Sequence, residues 1–252
     1  MHIELPRDAS LDGHLVDGAI GYLTLTTGIA FALALAFLAS ALVLHRARAG
    51  RTRGHHTHGN RKRDRALMFS VALVMFVAID VTLALRATRD LEERFWRYPA
   101  ADSTALRVEV TARQWAWSFR TAGPDGRFGT ADDVVTLNEL DVPIGRPIYL
   151  KLRSRDVVHS LYLPSFRTKI DAIPGMTTRL WFQATTPGRY EIACAQHCGV
   201  NHYKMRGLLD ARTESDYREW LARAEIDSRL RDDPAAPSAP GGWDWETGEN
   251  GK

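Results

Sequence analysis

Two long apolar runs dominate the first third of the chain. Ala19 to Leu44 extends for roughly 26 residues without a charge, and Ala66 to Leu85 for roughly 20 with Asp80 as its one charged member. A helix needs ~20 such residues to cross a bilayer, so the pattern predicts membrane spans at about 19–44 and 66–85. From Arg86 to Arg97 a short charged helical continuation follows, and Tyr98-Pro99 ends it. The period then changes from helical to two. LRVEVT from Leu106, IYLKL from Ile148 and TRLWF from Thr178 alternate apolar with polar residues, and YEIA from Tyr190 continues the pattern. GPDG, VPIGRP, IPG and TPG punctuate these runs, which together predict a small antiparallel β-sandwich. Thr213 to Leu230 returns to helical spacing, with Thr213 and Asp216 as a capping pair and Tyr217, Trp220, Leu221 and Ala224 on one face.

The expected organisation is a transmembrane hairpin over residues 1–97, a sandwich over 98–212, a C-terminal helix over 213–231 and a disordered tail over 232–252. Trp243 and Trp245 in that tail are read as part of the frayed end rather than as a docking peptide.

Charge adds an orientation. The net charge of +3 resides almost wholly in the link between the spans, residues 45–65, where Arg46, Arg48, Arg51, Arg53, Arg61, Lys62, Arg63 and Arg65 face the single acid Asp64. A basic link of this kind stays in the cytoplasm, so both hairpin ends and everything after Leu85 lie outside, in a bacterium the periplasm. Since the rest of the chain is balanced, nucleic-acid binding is not expected. The link reads as a loop at anionic lipid headgroups, and His55, His56 and His58 within it as loop histidines. A cleaved signal peptide wants a basic start and a shorter apolar core. This start is acidic and the run is long, so retention is expected although Ala39-Ser40-Ala41 imitates a cleavage site. Asp80 is costly against lipid and should face a protein partner.

The candidate chemistry is concentrated in CAQHCGVNHYKM. Cys194 and Cys198, four residues apart in an extracytoplasmic domain, read equally well as a disulfide or as metal ligands. His202 and Met205 shift the balance. Two thiolates, an imidazole and a thioether form a soft donor set of the kind that selects copper over magnesium or calcium. A compact site also needs a ligand from elsewhere in the fold, and His159, just after the strand that starts at Ile148, is the candidate. The loop GPDGRFGTADD is oxygen-rich but lacks the spacing and terminal Glu of a calcium-binding EF-hand, and reads as a hairpin turn.

DVVHSLYLPSFRTKIDAIPG, followed by CAQHCGVNHYKM and preceded by RQWAW, resembles subunit II of cytochrome c oxidases with a CuA-type copper centre. The resemblance covers the hairpin in layout and residues of about 106 to 210 in motif. It implies a cupredoxin-like sandwich with two copper ions bridged by Cys194 and Cys198, and with His159 and His202 each on one copper. Met205 would be a weak outer ligand and Gln196 a main-chain carbonyl donor. The family usually has Glu where Gln196 stands, and that side chain also helps hold magnesium at the junction with subunit I. A neutral amide is a poorer ligand for a hard cation, which puts the magnesium site in doubt. The resemblance further implies electron entry through Trp115, with Trp117 left to packing. It implies steering of a basic cytochrome c face by acids, of which Asp156 matches by position and Asp132 and Asp133 are further candidates. The implied partners are subunit I and the other oxidase subunits, a separate cytochrome c and the lipid bilayer.

Three rivals fit less well. A Sco-type copper chaperone shares CxxxC and a distant His, but on a thioredoxin-like fold with one anchor. A quinol oxidase subunit II lacks the cysteine pair, and nitrous oxide reductase carries its copper domain behind a propeller too large for 252 residues.

Overall fold

The computed structural model describes residues 5–46, 59–100, 104–123, 125–130 and 132–230. His55, His56 and His58, and the tail with Trp243 and Trp245, lie outside them. The chain divides into two units, Leu15–Trp96 on one hand and the segment up to His14 together with the chain from Arg97 on the other.

The first unit holds α1 (Gly13–His45) and α2 (Arg61–Phe95). Both are long and apolar enough to cross a membrane. Asn60 starts α2 by accepting from the Lys62 amide at 3.0 Å, which satisfies a donor that the helix itself leaves open. The helix continues through the charged residues to Phe95, with π-helical turns at Phe76–Val81 and Leu91–Phe95. A π turn disturbs the regular ladder of carbonyl acceptors. Here side chains take up the slack: the Tyr22 hydroxyl donates to the Ala78 carbonyl, and Thr82 Oγ1 to Val77 at 3.0 Å. Asp80 sits in the same π turn, exposed on the unit.

The second unit is a β-sandwich. One sheet contains β1 (Leu106–Arg113), β2 (Ala116–Thr121), β3 (Val134–Leu137), β5 (Pro147–Ser154) and β8 (Thr178–Gln183), in the order β3-β2-β1-β5-β8. The other has β4 (Glu139–Pro143), β6 (His159–Leu163), β7 (Thr168–Ala172), β9 (Gly188–Cys194) and β10 (Arg206–Arg212), in the order β4-β10-β9-β6-β7. Strict alternation in β5 sends Ile148, Leu150 and Leu152 into the core, where Val108, Val110, Leu161, Ile192 and Leu209 meet them.

The sheets are mixed, not purely antiparallel as the alternation and turns suggested. β1 runs parallel to β5, and β10 parallel to β4. A period of two fixes which face a residue takes but carries no information on strand direction.

At the C-terminal end, α3 (Glu214–Leu230) packs on β3, β4 and β10. Thr213 Oγ1 accepts from the Asp216 amide at 3.3 Å and donates to its carboxylate at 2.7 Å, while Tyr217 is buried and Trp220 and Leu221 pack against the core.

Residues ahead of α1 join the same sandwich. The Ala9 amide donates to Ser165 O at 2.9 Å, Thr185 N to Ala9 O at 2.8 Å and Leu11 N to Gln183 O at 3.0 Å. Ala9 is fully buried in the core. Because the chain before α1 and the chain after α2 build one unit, the two outer ends of the hairpin lie on the same side of any membrane it crosses.

Candidate metal centre

Three strand ends and one turn converge at one end of the sandwich. His159 opens β6, Cys194 closes β9, and the loop onward from Cys194 carries Cys198 and His202 before Met205 leads into β10. The loop is held by its backbone: Ala195 N donates to Ser160 O at 2.9 Å and Cys194 N to Met205 O at 3.2 Å.

The donor atoms lie within touching range. Cys194 and Cys198 are free cysteines with sulfurs 3.8 Å apart, far beyond the ~2.05 Å of a disulfide. Cys198 Sγ is 3.5 Å from His202 Nδ1 and 3.7 Å from Met205 Sδ, and His159 Nδ1 is 3.2 Å from Met205 Sδ. The ligand atoms of His159, Cys194 and Cys198 all fall within 4.8 Å of one another. Cys194 also feels both imidazoles, and its sulfur lies 3.3 Å from the Gln196 carbonyl. Two donors sharing an ion at thiolate and imidazole bond lengths, ~2.0–2.3 Å as for zinc, can be no more than about 4.6 Å apart. The neighbouring pairs meet that limit, so the residues fit a soft metal site. The disulfide alternative is not realised.

Electrostatics point the same way. Burial raises the Cys194 thiol, but hydrogen bonds from His159, the Ser160 amide and His202 outweigh it and bring the pKa down to about 6. Burial and the neighbouring Cys194 charge push Cys198 up to about 12. Two thiolates this close cannot both ionise without a cation between them. Burial disfavours the charged form of His159, yet Cys194 and Asp156 together hold its pKa above the usual value.

The surroundings orient the donors. His159 Nε2 is hydrogen-bonded to Asp156 Oδ1 at 2.8 Å, which turns Nδ1 toward the sulfurs. Asp156 is in turn fixed by the Gln114 amide at 2.6 Å and the Val157 amide at 2.7 Å. Trp117, fully buried, stands edge-on to His159 with ring centres 6.0 Å apart. Trp115, half-buried, donates its indole N–H to the Cys198 carbonyl at 3.1 Å, beside Gln114 Nε2 at 2.8 Å. A Cβ on Gly199, whose φ is +112°, would come within 2.8 Å of that amide, so glycine permits the approach. Outside the centre, His197 stacks on His202 at 5.6 Å and 8°.

Of the residues singled out in the sequence, the structure brings together His159, Cys194, Gln196, Cys198, His202, Met205, Trp115 and Asp156. It does not bring Asp132 and Asp133 to them. β2 runs away from Trp115 for about 17 Å before their loop begins. There Asp132 accepts from Thr130 Oγ1 at 2.6 Å, and Asp133 is buried against Arg120, whose Nε donates to it at 2.7 Å. Sequence reasoning missed the part of Asp156 in holding His159, although the D-V-V-H spacing carries it, and that of Gln114, which has no signal of its own.

Residues 106–211 match the family model for the cytochrome c oxidase subunit II periplasmic domain. The alternative cytochrome c oxidase subunit 2 of Bradyrhizobium diazoefficiens is 39% identical over 147 residues, 50% of this chain and 53% of that protein. The cytochrome c oxidase subunit 2 of Thermostichus vulcanus is 36% identical over 162 residues, 61% and 46% of the two chains. The chain thus spans about half the length of the curated relatives it matches. A crystal structure of the periplasmic domain of cytochrome oxidase subunit II from Bradyrhizobium japonicum aligns at a TM-score of 0.45 with 28% identity, covering 51% of this chain and 97% of that one. Sequence match and donor set agree: residues 106–211 are similar to the cytochrome c oxidase subunit II periplasmic domain.

Proposed function

We propose that this chain is the electron-entry subunit of a terminal oxidase in a bacterial inner membrane, with its sandwich on the periplasmic side. The observation that carries this reading is the convergence of two cysteine sulfurs, two imidazoles and a thioether at one end of the sandwich. Cys194 and Cys198 would bridge two copper ions, His159 and His202 would each hold one, Met205 would sit at the edge of one, and the Gln196 carbonyl would complete the set. Bound by these residues, copper would supply a one-electron couple.

The protein's own contribution is rigidity and access. Asp156 fixes the His159 ring, and Trp117 walls it off from movement. Backbone hydrogen bonds from Cys194 to Met205 and from Ala195 to Ser160 tie the loop to the neighbouring strands. Trp115 reaches from the surface to the Cys198 carbonyl and gives a short bonded route from a docked cytochrome c to a bridging residue. Electrons would pass from here to subunit I of the complex, which would reduce oxygen to water with proton translocation. The enzyme activity belongs to the complex. The exposed Gln196 side chain offers a magnesium ion at the subunit I junction no charge.

Copper analysis and an electron paramagnetic resonance spectrum of the full chain test the reading. Two coppers per chain with a seven-line mixed-valence spectrum are expected, and one copper with a single-metal spectrum would overturn it. Trp115→Ala should slow reduction by cytochrome c at unchanged copper content, and an unaltered rate would return Trp115 to a packing role.

A further inference from the structure

The two imidazoles of the metal centre are oriented by different means. His159 is fixed by a hydrogen bond: its Nε2 is bonded to Asp156 Oδ1 at 2.8 Å, which leaves Nδ1 for the sulfurs. His202 opens the short turn His202–Lys204, half-buried, with Nδ1 3.5 Å from Cys198 Sγ. Among the described residues no carboxylate or carbonyl is bonded to its ring. The His197 ring lies beside it, inclined by only 8° with ring centres 5.6 Å apart. Aromatic rings favour this parallel, offset arrangement, because it sets the positive edge of one against the negative face of the other.

His197 is exposed, so burial does not place its ring. Its own backbone does. His197 Nδ1 accepts from the Gly199 amide at 3.2 Å, and the carbonyl of the same glycine accepts from the His202 amide at 3.0 Å. Gly199 thus ties both histidines, and it is itself closely confined: a Cβ there would meet Gln114 Nε2 at 2.8 Å, while Gln114 Nε2 and the Trp115 indole both donate to the adjoining Cys198 carbonyl. We infer that His197 is the positioning residue of His202, holding the plane of that ligand ring by stacking as Asp156 holds His159 by a hydrogen bond. The inference rests on the metal-centre reading and adds a residue to it. Groups that orient a ligand from behind set how well it is prepared for the metal. Each imidazole should therefore answer to its own neighbour, His159 to Asp156 and His202 to His197.

The test compares His197→Ala, His197→Phe and His197→Asn in the full copper-loaded chain. Phe keeps a flat ring without the Nδ1 acceptor, and Asn keeps an acceptor near that position without the ring. Electron-nuclear double resonance with isotope-labelled histidine reads the nitrogen coupling of each ligand imidazole, with Asp156→Ala marking the His159 signal. His197→Ala and His197→Asn should shift the His202 coupling, leave that of His159, and lower copper retention against a chelator about 2- to 10-fold, the equilibrium equivalent of one offset ring pair. His197→Phe should restore both. Should Ala lose its copper altogether, the Phe and Asn pair still decides. Recovery by Asn and not by Phe would give the role to the Gly199 hydrogen bond and overturn the stacking inference alone. Unchanged couplings in all three variants, or equal shifts at both imidazoles, would overturn it too. A parent chain that binds no copper would overturn the metal-centre reading and this inference together.

Discussion

Two buried polar clusters of the sandwich balance their charge in opposite ways. On β1 and β2, Arg120 pairs with Glu109 at 3.3 Å and with Asp133, all with side chains at most 7% exposed. Burial raises the Glu109 pKa, and Arg120 offsets part of that rise. The chain supplies its own cation there. At the metal end, the described groups bonded to the two sulfurs are imidazoles, a thioether and main-chain atoms, with no ammonium or guanidinium. A fold that can place an arginine between two buried acids, yet leaves two thiols facing each other, keeps a place for a cation from outside.

The largest effect expected from breaking this contrast comes at the sulfurs. Cys198→Ser should abolish the dinuclear centre, read as the loss of the mixed-valence spectrum and of bound copper. Its thermal unfolding in the absence of metal should resemble that of the parent.

The reverse experiment removes the internal cation. Arg120→Met leaves two buried carboxylates unpaired and should cost about 3–5 kcal/mol in denaturant unfolding, with copper stoichiometry unchanged in the folded fraction. A loss under 1 kcal/mol would mean that the acids relax to water. Asp156→Ala should be milder, because it removes only the group that orients His159. Copper affinity should fall about 10–100-fold in competition with a chelator, and unaltered affinity would leave Asp156 without an orienting role. Gln196→Ala should have the smallest effect, since the main-chain carbonyl stays; copper loss there would show that the side chain takes part.

Much of the metal end was legible because it depends on residue type at fixed spacing. Cys194, Cys198, His202 and Met205 announce themselves within one loop. His159 could be added because a strand end must supply what a short loop cannot. The two apolar helices were legible from length alone. Strands with one covered face, such as β5, showed in the alternation, whereas β6, buried at four of five positions, reads as no strand in particular. The acids misled for a physical reason. A charged loop looks solvated in sequence, and only the fold shows that Arg120, on the outer face of β2, lies under Phe128 and draws Asp133 inward. The segment before α1 was illegible because it attaches mainly through backbone groups, which every residue carries.

That segment changes how the molecule can be made. The sandwich is discontinuous in sequence, and the membrane hairpin is an insertion between its strap at Leu5–Leu11 and its first strand. Ser165 and Gln183, which receive the strap, are synthesised more than 150 residues after it. If both helices cross a membrane, the sandwich cannot close until they have been threaded and most of its strands have followed, and the loop ligands between β9 and β10 come together only after that.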